Sequence, residues 1–403
     1  MSYNGGLKRS SGVTLLNGVV TVSSELTENL ISVPQGHFHL NRVPARRREL
    51  LRAWDAADEY LLNYLADTGW PVAESRILIV NDSFGALAVA LHAHKPLAWS
   101  DSFLSQEATR RNLAANALPL DAVNLLTSLE TPAGMFDLVL IKAPKTLALL
   151  DDQLIKLSPH IGPATVVVVA GMVKNLSASI WRLLEKNLGP TSSSLAWKKA
   201  RLIFVNPDCA LAVPDNPYPV RYRLEGTDWM IVNHANVFSR EGLDIGTRFF
   251  LHSLTQWPEA RDIIDLGCGN GVVGVIAARD NPDAVLHFVD ESFMAVASAL
   301  ENFKQAIGDQ RPATFRAGDC LTGVAARSVD VILCNPPFHQ QAAVGDMIAR
   351  KMFRQARNVL RQNGELWVIG NRHLGYHQML GKIFGTVSLI ASNAKFVVLK
   401  ASA

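Results

Sequence analysis

The sequence contains few cysteines. Only Cys209, Cys268, Cys320 and Cys334 occur among 403 residues, and no two of them form a C-x-x-C pair. This spacing predicts neither a zinc site nor a disulfide framework, and it fits the reducing conditions of the cytosol. We expect Cys268 and Cys334 to be small buried side chains. His37 and His39 alternate without further ligands nearby, so no bound metal is predicted.

Long apolar runs and a strong excess of charge are also missing. No apolar stretch reaches the roughly 18–20 residues that span a bilayer. The N-terminus lacks the apolar core of a secretory signal, so a cytoplasmic protein is expected. Charged residues make up 19% of the chain and the formal net charge is +3. Any contact with nucleic acid must therefore come from local patches rather than from net charge.

Length and apolar content predict two domains. Hydrophobic residues make up 48% of the chain, and 403 residues are too many for one typical domain. The stretch 206–216 carries Pro207 and Pro214 and is typical of a linker. We expect an N-terminal domain over 1–205, a linker over 206–225 and a C-terminal domain over 226–403.

A glycine-rich turn opens the C-terminal domain. The segment IIDLGCGNG places Asp265 at the end of a predicted strand, followed by Gly267, Gly269 and Gly271 before a predicted helix. Glycine permits a positive φ and lets a ligand approach the backbone. The pattern fits a nucleoside cofactor, but Gly269, Gly271 and Gly274 also fit the G-x-G-x-x-G spacing of a dinucleotide site. A tight turn with nothing bound remains a third possibility.

Two further acidic residues follow predicted strands. Asp290 ends VLHFVD, where a carboxylate can take both ribose hydroxyls, and Asp319 follows ATFRAG, where it can accept an adenine amino group. Each alone is equally explained as a turn residue or helix cap. Ligands of open α/β sheets bind outside the carboxyl ends of strands, so the set favours a ligand site.

The segment VDVILCNPPF carries the chemistry. An exocyclic amine on a planar ring is a weak nucleophile because its lone pair is delocalised. The Asn335 side-chain oxygen and the Pro336 carbonyl can accept its N–H groups and orient that lone pair, while Phe338 offers a stacking face. Proximity and electrostatics then suffice for in-line methyl transfer. Together with the glycine turn, this predicts N-methylation dependent on S-adenosylmethionine.

These motifs resemble a known family. DLGCGNG, FVDES, the Asp319 strand end and NPPFHQQ are similar to class I methyltransferases that make N2-methylguanine in ribosomal RNA. The segment 233–251 resembles the one that these enzymes place before the first core strand. The resemblance implies that Phe238, Asp244 and Gly246 lie near the methionine end of the cofactor.

One family fits most of the chain. AWDAADEYLLNYL, NDSFGALAVAL, APKTLALLDDQL and LEGTDW resemble the large-subunit methyltransferase G family, which modifies a guanine of 23S rRNA. The resemblance runs from about Arg52 to the C-terminus. The sister family acting on 16S rRNA shares NPPF but fits the N-terminal half less well. The resemblance implies a cytoplasmic, RNA-binding enzyme of rRNA processing.

The two halves of the sequence look like relatives. ILIVNDSFGALAVAL parallels IIDLGCGNGVVGVIA, LAWSDSF parallels FVDESF, and FDLVLIKAPKTL parallels VDVILCNPPFHQ. These parallels set three pairs of residues opposite one another: Asp82 and Asp265, Asp101 and Asp290, and Lys142 and Asn335. The fold prediction is therefore α/β, with two tandem class I methyltransferase (Rossmann-like) domains that arose by duplication.

The N-terminal copy lacks the predicted chemistry. Its turn has Phe84 beside a single Gly85, and Lys142 replaces the amide that would hold an amine. A cation at that position repels a sulfonium. We expect a non-catalytic domain that binds RNA, supports the fold, or both; the alternative is a second working site.

Strand predictions in the C-terminal domain cover seven segments. They are 261–266, 285–290, 313–317, 329–334, 365–370, 386–391 and 395–400. The last two are too close for a crossover helix and predict a hairpin. The resemblance implies a mostly parallel seven-stranded sheet that ends in this antiparallel pair.

Three basic patches are candidate RNA contacts. They contain Arg46 and Arg47, then Lys198 and Lys199, then Arg350 and Arg354 together with Arg357 and Arg361. Each patch is equally explained as a solvated face.

Three functions stay open. The first is guanine-N2 methylation of 23S rRNA, or of 16S rRNA by the sister family. The second is methylation of adenine N6 or a glutamine amide, whose enzymes usually carry Tyr where this chain has Phe338. The third is a ribosome-assembly module without catalysis.

Overall fold

The computed structural model describes residues 13–16, 19–22, 29–44, 51–254, 260–337 and 342–403. Within these ranges the chain forms two halves, and each half is built around a seven-stranded sheet.

The N-terminal half begins with two antiparallel hairpins. Strand β1 (Val13–Leu16) pairs with β2 (Val19–Val22), and β3 (Leu30–Val33) pairs with β4 (Gly36–His39). The sheet strands are β5 (Ile77–Val80), β6 (Leu97–Ser100), β7 (Asn124–Thr127), β8 (Leu138–Lys142), β9 (Val166–Met172), β10 (Thr191–Ser193) and β11 (Ala200–Val205). The helices are α1 (Ala56–Asp67), α2 (Ala86–Ala90), α3 (Phe103–Ala115), α4 (Leu147–Leu157) and α5 (Ala178–Asn187).

The C-terminal half follows the same plan. It begins with a hairpin of β12 (Val220–Arg223) and β13 (Met230–Asn233). The sheet strands are β14 (Asp262–Leu266), β15 (Val285–Asp290), β16 (Ala313–Ala317), β17 (Val329–Cys334), β18 (Leu360–Asn371), β19 (Val387–Ser392) and β20 (Phe396–Ser402). The helices are α6 (Ile245–Ser253), α7 (Val272–Asp280), α8 (Phe293–Ile307), α9 (Ala342–Val359) and α10 (Tyr376–Phe384).

The two sheets have one topology. Their strand orders are β7-β6-β5-β8-β9-β11-β10 and β16-β15-β14-β17-β18-β20-β19. The first five strands of each order are parallel, and the terminal pair is an antiparallel hairpin. The fold prediction is confirmed, including the hairpin at the C-terminus. Strand β18 begins at Leu360, earlier than the predicted 365, and its pairing with β17 is irregular between Leu360 and Glu365.

A repeated asparagine confirms the duplication in detail. Asn302 on α8 donates to the carbonyls of Val232 and Asn270 and accepts from the Val232 amide. Asn112 on α3 makes the same three bonds to Asn41 and to the Phe84 carbonyl. In both halves the side chain ties the preceding hairpin region to the first turn after a strand.

Two of the three residue pairs predicted from the parallel halves are wrong. Residues 81–84 and 267–270 each join a strand to a glycine with φ near 77°, Gly85 or Gly271, so Asp82 matches Cys268 rather than Asp265. Ser102 and Ser292 both cap the following helix, so Asp290 matches Ser100 rather than Asp101. The alignment of the two halves by sequence was shifted by a few residues, because similar polar residues occur in both turns.

The third predicted pair is confirmed by strand register. Ile141 pairs with Val80 in one sheet, and Cys334 pairs with Leu266 in the other. Lys142 and Asn335 are the next residues, at equivalent strand ends.

Apolar side chains cover both faces of each sheet. Strand β5 is buried at all four positions, as is usual for a parallel strand between two helical layers. Cys268 and Cys334 are buried, as predicted.

Part of the predicted linker belongs to the second half. Residues 220–223 form β12, whose partner β13 packs against α8.

Candidate active site

The glycine turn lies between β14 and α7. Gly267, Gly269 and Gly271 all have positive φ, as predicted from the sequence. A Cβ on Gly271 would lie 2.7 Å from the Cβ of Ala299, so close packing on α8 requires glycine there. A Cβ on Gly269 would meet nothing within 4 Å. The open side of the turn is therefore at Gly269, where a ligand can approach the backbone.

Asp265 lies beneath this turn. Its side chain is 4% exposed and accepts the Gly274 amide at 2.8 Å, which ties β14 to the first turn of α7. Burial raises the pKa of this carboxyl to about 8. Asp265 thus stabilises the turn from below.

Asp290 borders the open side of the turn. One carboxylate oxygen accepts the Gly269 amide at 2.9 Å, and the other accepts the Ser292 amide at 3.0 Å. Burial raises the pKa of Asp290 from its ordinary value. A carboxylate fixed in this way can accept the two hydroxyls of a ribose.

Asp319 already has a cationic partner. Its carboxylate binds Lys351 on α9. An adenine amino group at this position would share the carboxylate with Lys351. Sequence reasoning missed Lys351, since no local pattern links residues 32 positions apart.

Asn335 has one bonded and one free end. Its Nδ2 donates to the Thr247 hydroxyl at 3.1 Å, which fixes the amide orientation. Its Oδ1 is buried and has no hydrogen-bond partner among the residues that the structure describes. Buried acceptors are nearly always paired in folded proteins, so this oxygen is available to a further donor. Pro336 is buried beside it, and Phe338 lies outside the described residues.

Helix α6 supplies the group that holds Asn335. Asp244 caps this helix by accepting the Thr247 amide at 2.9 Å. Gly246 lies next to the Phe396 ring, since a Cβ there would be 3.2 Å from it. Thr247 was missed in the sequence, although it stands three residues after the predicted Asp244.

The two motifs meet at one sheet edge. Leu266 and Cys334 are partners in adjacent parallel strands, so the glycine turn and Asn335 both follow the same edge. A Cβ on Gly267 would lie 4.0 Å from the Asn335 carbonyl oxygen. Phe238 is 56% exposed in the segment before α6. The structure thus brings an open glycine backbone, Asp290 and a free amide oxygen to one place.

The equivalent place in the N-terminal half is closed by an ion pair. Lys142 Nζ lies 2.6 Å from Asp58 and 3.0 Å from Asp55. Asp55 caps α1 as Asp244 caps α6, and Asp58 stands where Thr247 stands in the other half.

The basic side chains of the three patches differ in whether they are free to contact RNA phosphates. Arg46 and Arg47 lie outside the described residues. Lys198 pairs with Glu59 at 3.0 Å and lies over the Trp197 ring, while Lys199 is exposed. Arg350 and Arg354 are exposed on α9, but Arg361 is held by Asp262 and Asp330.

The described ranges offer neither a metal site nor a membrane-spanning helix. Histidine, cysteine and carboxylate side chains there form no group suited to a metal ion. No helix among those residues has the length and apolarity needed to cross a membrane.

Family models match both halves. Residues 28–209 match the model described as the RLMG N-terminal domain, and residues 228–400 match the methyltransferase small domain.

Similar proteins cover nearly the whole chain. A ribosomal RNA large subunit methyltransferase G of Ectopseudomonas mendocina is 53% identical over 93% of this chain and 99% of its own length. One from Streptomyces avermitilis is 50% identical over 92% of this chain and 98% of its own.

A solved structure has the same two-half fold. It is a 16S rRNA N2 methyltransferase of T. thermophilus, in complex with AdoMet and guanosine. The TM-score is 0.71 at 19% identity, and the alignment covers 93% of this chain and 97% of that one.

Proposed function

The chain belongs to the ribosomal RNA large subunit methyltransferase G family, and from this premise we propose that it methylates 23S rRNA with S-adenosylmethionine. The acceptor in this proposal is the exocyclic N2 amine of one specific guanine. The protein is then a cytoplasmic enzyme of rRNA processing, and its partner is the large-subunit RNA.

The free oxygen of Asn335 carries the proposal. An amine N–H would pair the buried Oδ1, which has no partner in the described part of the chain. Leaving such an acceptor unpaired costs about 1–3 kcal/mol, so the site favours a ligand with a donor there. Thr247 holds Nδ2, so the oxygen end of the amide faces the ligand.

Asn335 and Pro336 orient the amine for transfer. Two acceptors at fixed positions direct the nitrogen lone pair toward the incoming methyl carbon. The bound sulfonium supplies the methyl group, and its sulfur leaves as a neutral thioether. The amine loses its proton after the new bond forms, because alkylation makes that proton acidic.

The residues around the turn fit a nucleoside cofactor. Gly269 leaves the backbone open, and Asp290 is fixed at its edge for the ribose hydroxyls. We assign the adenine end to Asp319 with Lys351, and the methionine end to Asp244, Gly246 and Phe238. Asp265 supports the turn through Gly274.

We propose that the N-terminal half, 1–205, is non-catalytic and helps bind RNA. In this proposal the linker covers 206–219, and the catalytic half covers 220–403 and begins with β12. Arg350 and Arg354 are the proposed phosphate contacts on α9, with Lys199 as a third in the N-terminal half.

Transfer of labelled methyl tests the function. Unmodified 23S rRNA, 16S rRNA, protein-bound subunits and DNA are each incubated with the chain and labelled S-adenosylmethionine, and the nucleosides are then analysed. Label in N2-methylguanosine from 23S rRNA is expected. Label in 16S rRNA would show that the chain has the substrate of the sister family. Label only in N6-methyladenosine would contradict the proposal that guanine N2 is the acceptor.

A further inference from the structure

Asp101 of the N-terminal half is bonded mainly to the other half. Its side chain is 3% exposed. Three donors belong to the C-terminal half: the Ser292 hydroxyl at 2.5 Å, the Asn236 amide at 2.7 Å and the Met294 backbone N–H at 2.8 Å. The fourth is the hydroxyl of Ser128 in its own half. A buried carboxylate is tolerated only with such a full set of donors.

Two of these donors, Ser292 and Met294, lie at the start of α8. Ser292 is the N-cap of this helix and accepts the Ala295 amide at 3.0 Å. The Met294 amide lies in the first turn, where backbone N–H groups have no partner within the helix. A negative charge at this end also interacts favourably with the helix dipole. Asp101 therefore adds a second cap to α8 from across the interface.

This start of α8 also holds Asp290. The Ser292 amide donates to Asp290, whose other oxygen accepts the Gly269 amide. Asp101 is thus connected through Ser292 to the carboxylate at the open side of the glycine turn.

Backbone bonds fix the same loop from both sides. The Phe293 amide donates to the Asp101 carbonyl at 3.1 Å, and the Phe103 amide donates to the Glu291 carbonyl at 2.9 Å. Glu291 accepts the Ser102 hydroxyl at 2.6 Å. Glu291 is the counterpart of Asp101 in the duplication, and its carboxylate also accepts the Leu104 backbone N–H. Asp101 accepts one donor more across the interface, the Asn236 amide, and it alone of the two carboxylates bonds to the start of α8.

We propose that Asp101 is a positioning residue for the cofactor site in the catalytic half. It fixes Ser292 and the first turn of α8, so that Asp290 is held ready for the ribose hydroxyls. This inference rests on the proposed function, and it gives the non-catalytic half a role in cofactor binding that is separate from RNA contact.

Cofactor affinity of full-length variants tests this role. In Asp101→Asn, one acceptor becomes a donor facing the Asn236 amide, so the first turn of α8 loses its fixed position. We expect the Kd for S-adenosylmethionine, measured by calorimetry, to rise about ten-fold. We also expect saturating cofactor to restore most of kcat.

Asp82→Asn is the matched control. Asp82 is also a buried carboxylate of the N-terminal half, and it accepts four backbone N–H groups at the start of α2. Its partners all belong to its own half. We expect a comparable loss of thermal stability but a Kd within two-fold of the wild type.

Ser292→Ala tests the connection itself. If Asp101 acts through Ser292, the double variant raises Kd by less than the product of the single effects. A folded Asp101→Asn with wild-type affinity would overturn the proposal, as would an equal rise of Kd in Asp82→Asn. Wild-type protein that binds cofactor but methylates no RNA would count against the proposed function alone.

Discussion

At the scale of single residues, Asn335 separates catalysis from cofactor binding. Asn335→Ala removes the free oxygen that we assign to the amine and leaves the glycine turn and Asp290 in place. We expect kcat to fall by about 100-fold or more, the range seen when one transition-state contact is removed. The Kd for S-adenosylmethionine should stay within about three-fold. Single-turnover methyl transfer and calorimetry measure the two quantities.

Thr247 provides the control for Asn335. Thr247→Ser keeps the hydroxyl that accepts from Asn335 Nδ2, whereas Thr247→Ala removes it. We expect activity close to wild type in the serine variant and a clear loss in the alanine variant. A collapse of cofactor affinity in Asn335→Ala would contradict the assigned role.

Asp265 predicts a pH dependence of stability. Burial raises the pKa of its carboxyl to about 8, above the ordinary value of 3.8 that an unfolded chain would show. Between these values the folded state holds a proton that the unfolded state has lost, so stability falls as pH rises through this window. Above the pKa of the folded state the carboxyl is ionised in both states, so stability no longer falls with pH through this group.

Asp265→Asn should remove this slope. The amide keeps an acceptor for the Gly274 amide but does not titrate. Between pH 6 and pH 9, we expect the variant to lose about 2–3 kcal/mol less stability than the wild type. Denaturant unfolding of both cofactor-free proteins at the two pH values measures the difference. Equal slopes would show that Asp265 does not titrate in this range.

At the scale of elements, Gly271 and Gly269 have different roles in the glycine turn. Gly271→Ala combines a φ of 76° with a Cβ 2.7 Å from Ala299, so helix α8 must move. We expect a loss of about 2–4 kcal/mol in stability, from the left-handed backbone and the overpacking together.

Gly269→Ala is the comparison within the same turn. Its φ is also positive, at 53°, but no atom lies within 4 Å of the added Cβ. We expect a smaller loss of about 1 kcal/mol in stability, with a large rise of the Kd for S-adenosylmethionine. Denaturant unfolding measures the loss of stability in both variants, and calorimetry measures their Kd for S-adenosylmethionine. Equal losses of stability in the two variants would contradict the different roles of Gly271 and Gly269.

Strands and ligand turns of the C-terminal half were predictable because their signals are local. Apolar runs that end in glycine or Asp-rich turns gave β14 to β17 with nearly the observed bounds. Lys351 was not predictable, because its partner Asp319 comes from a distant segment. The same holds for Asn302, which joins residues 70 and 32 positions away. The misaligned pairs of Asp82 and Asp101 followed from matching residue types without strand register.

At the scale of the whole molecule, duplication has left one open site and one closed site. In the N-terminal half, Asp82 accepts the backbone N–H groups of Gly85 and of the first three residues of α2, so this turn is bonded within the chain. Ser100 stands where Asp290 stands in the other half. Lys142, bound to Asp58, stands where Asn335 stands. The N-terminal half therefore lacks the counterparts of the ribose carboxylate and of the amine acceptor that we assign in the catalytic half.

We expect one molecule of S-adenosylmethionine to bind per chain. Asp290→Ala removes the carboxylate assigned to the ribose and should abolish measurable binding, because the closed half offers no second site. Calorimetric stoichiometry of the wild type and of this variant measures both points. Lys142→Met is the matched change in the closed half, and it should leave stoichiometry and affinity unchanged while it lowers stability, since Asp58 then loses its buried partner. A stoichiometry near two, or binding that survives in Asp290→Ala and is lost in Lys142→Met, would place a cofactor in the N-terminal half.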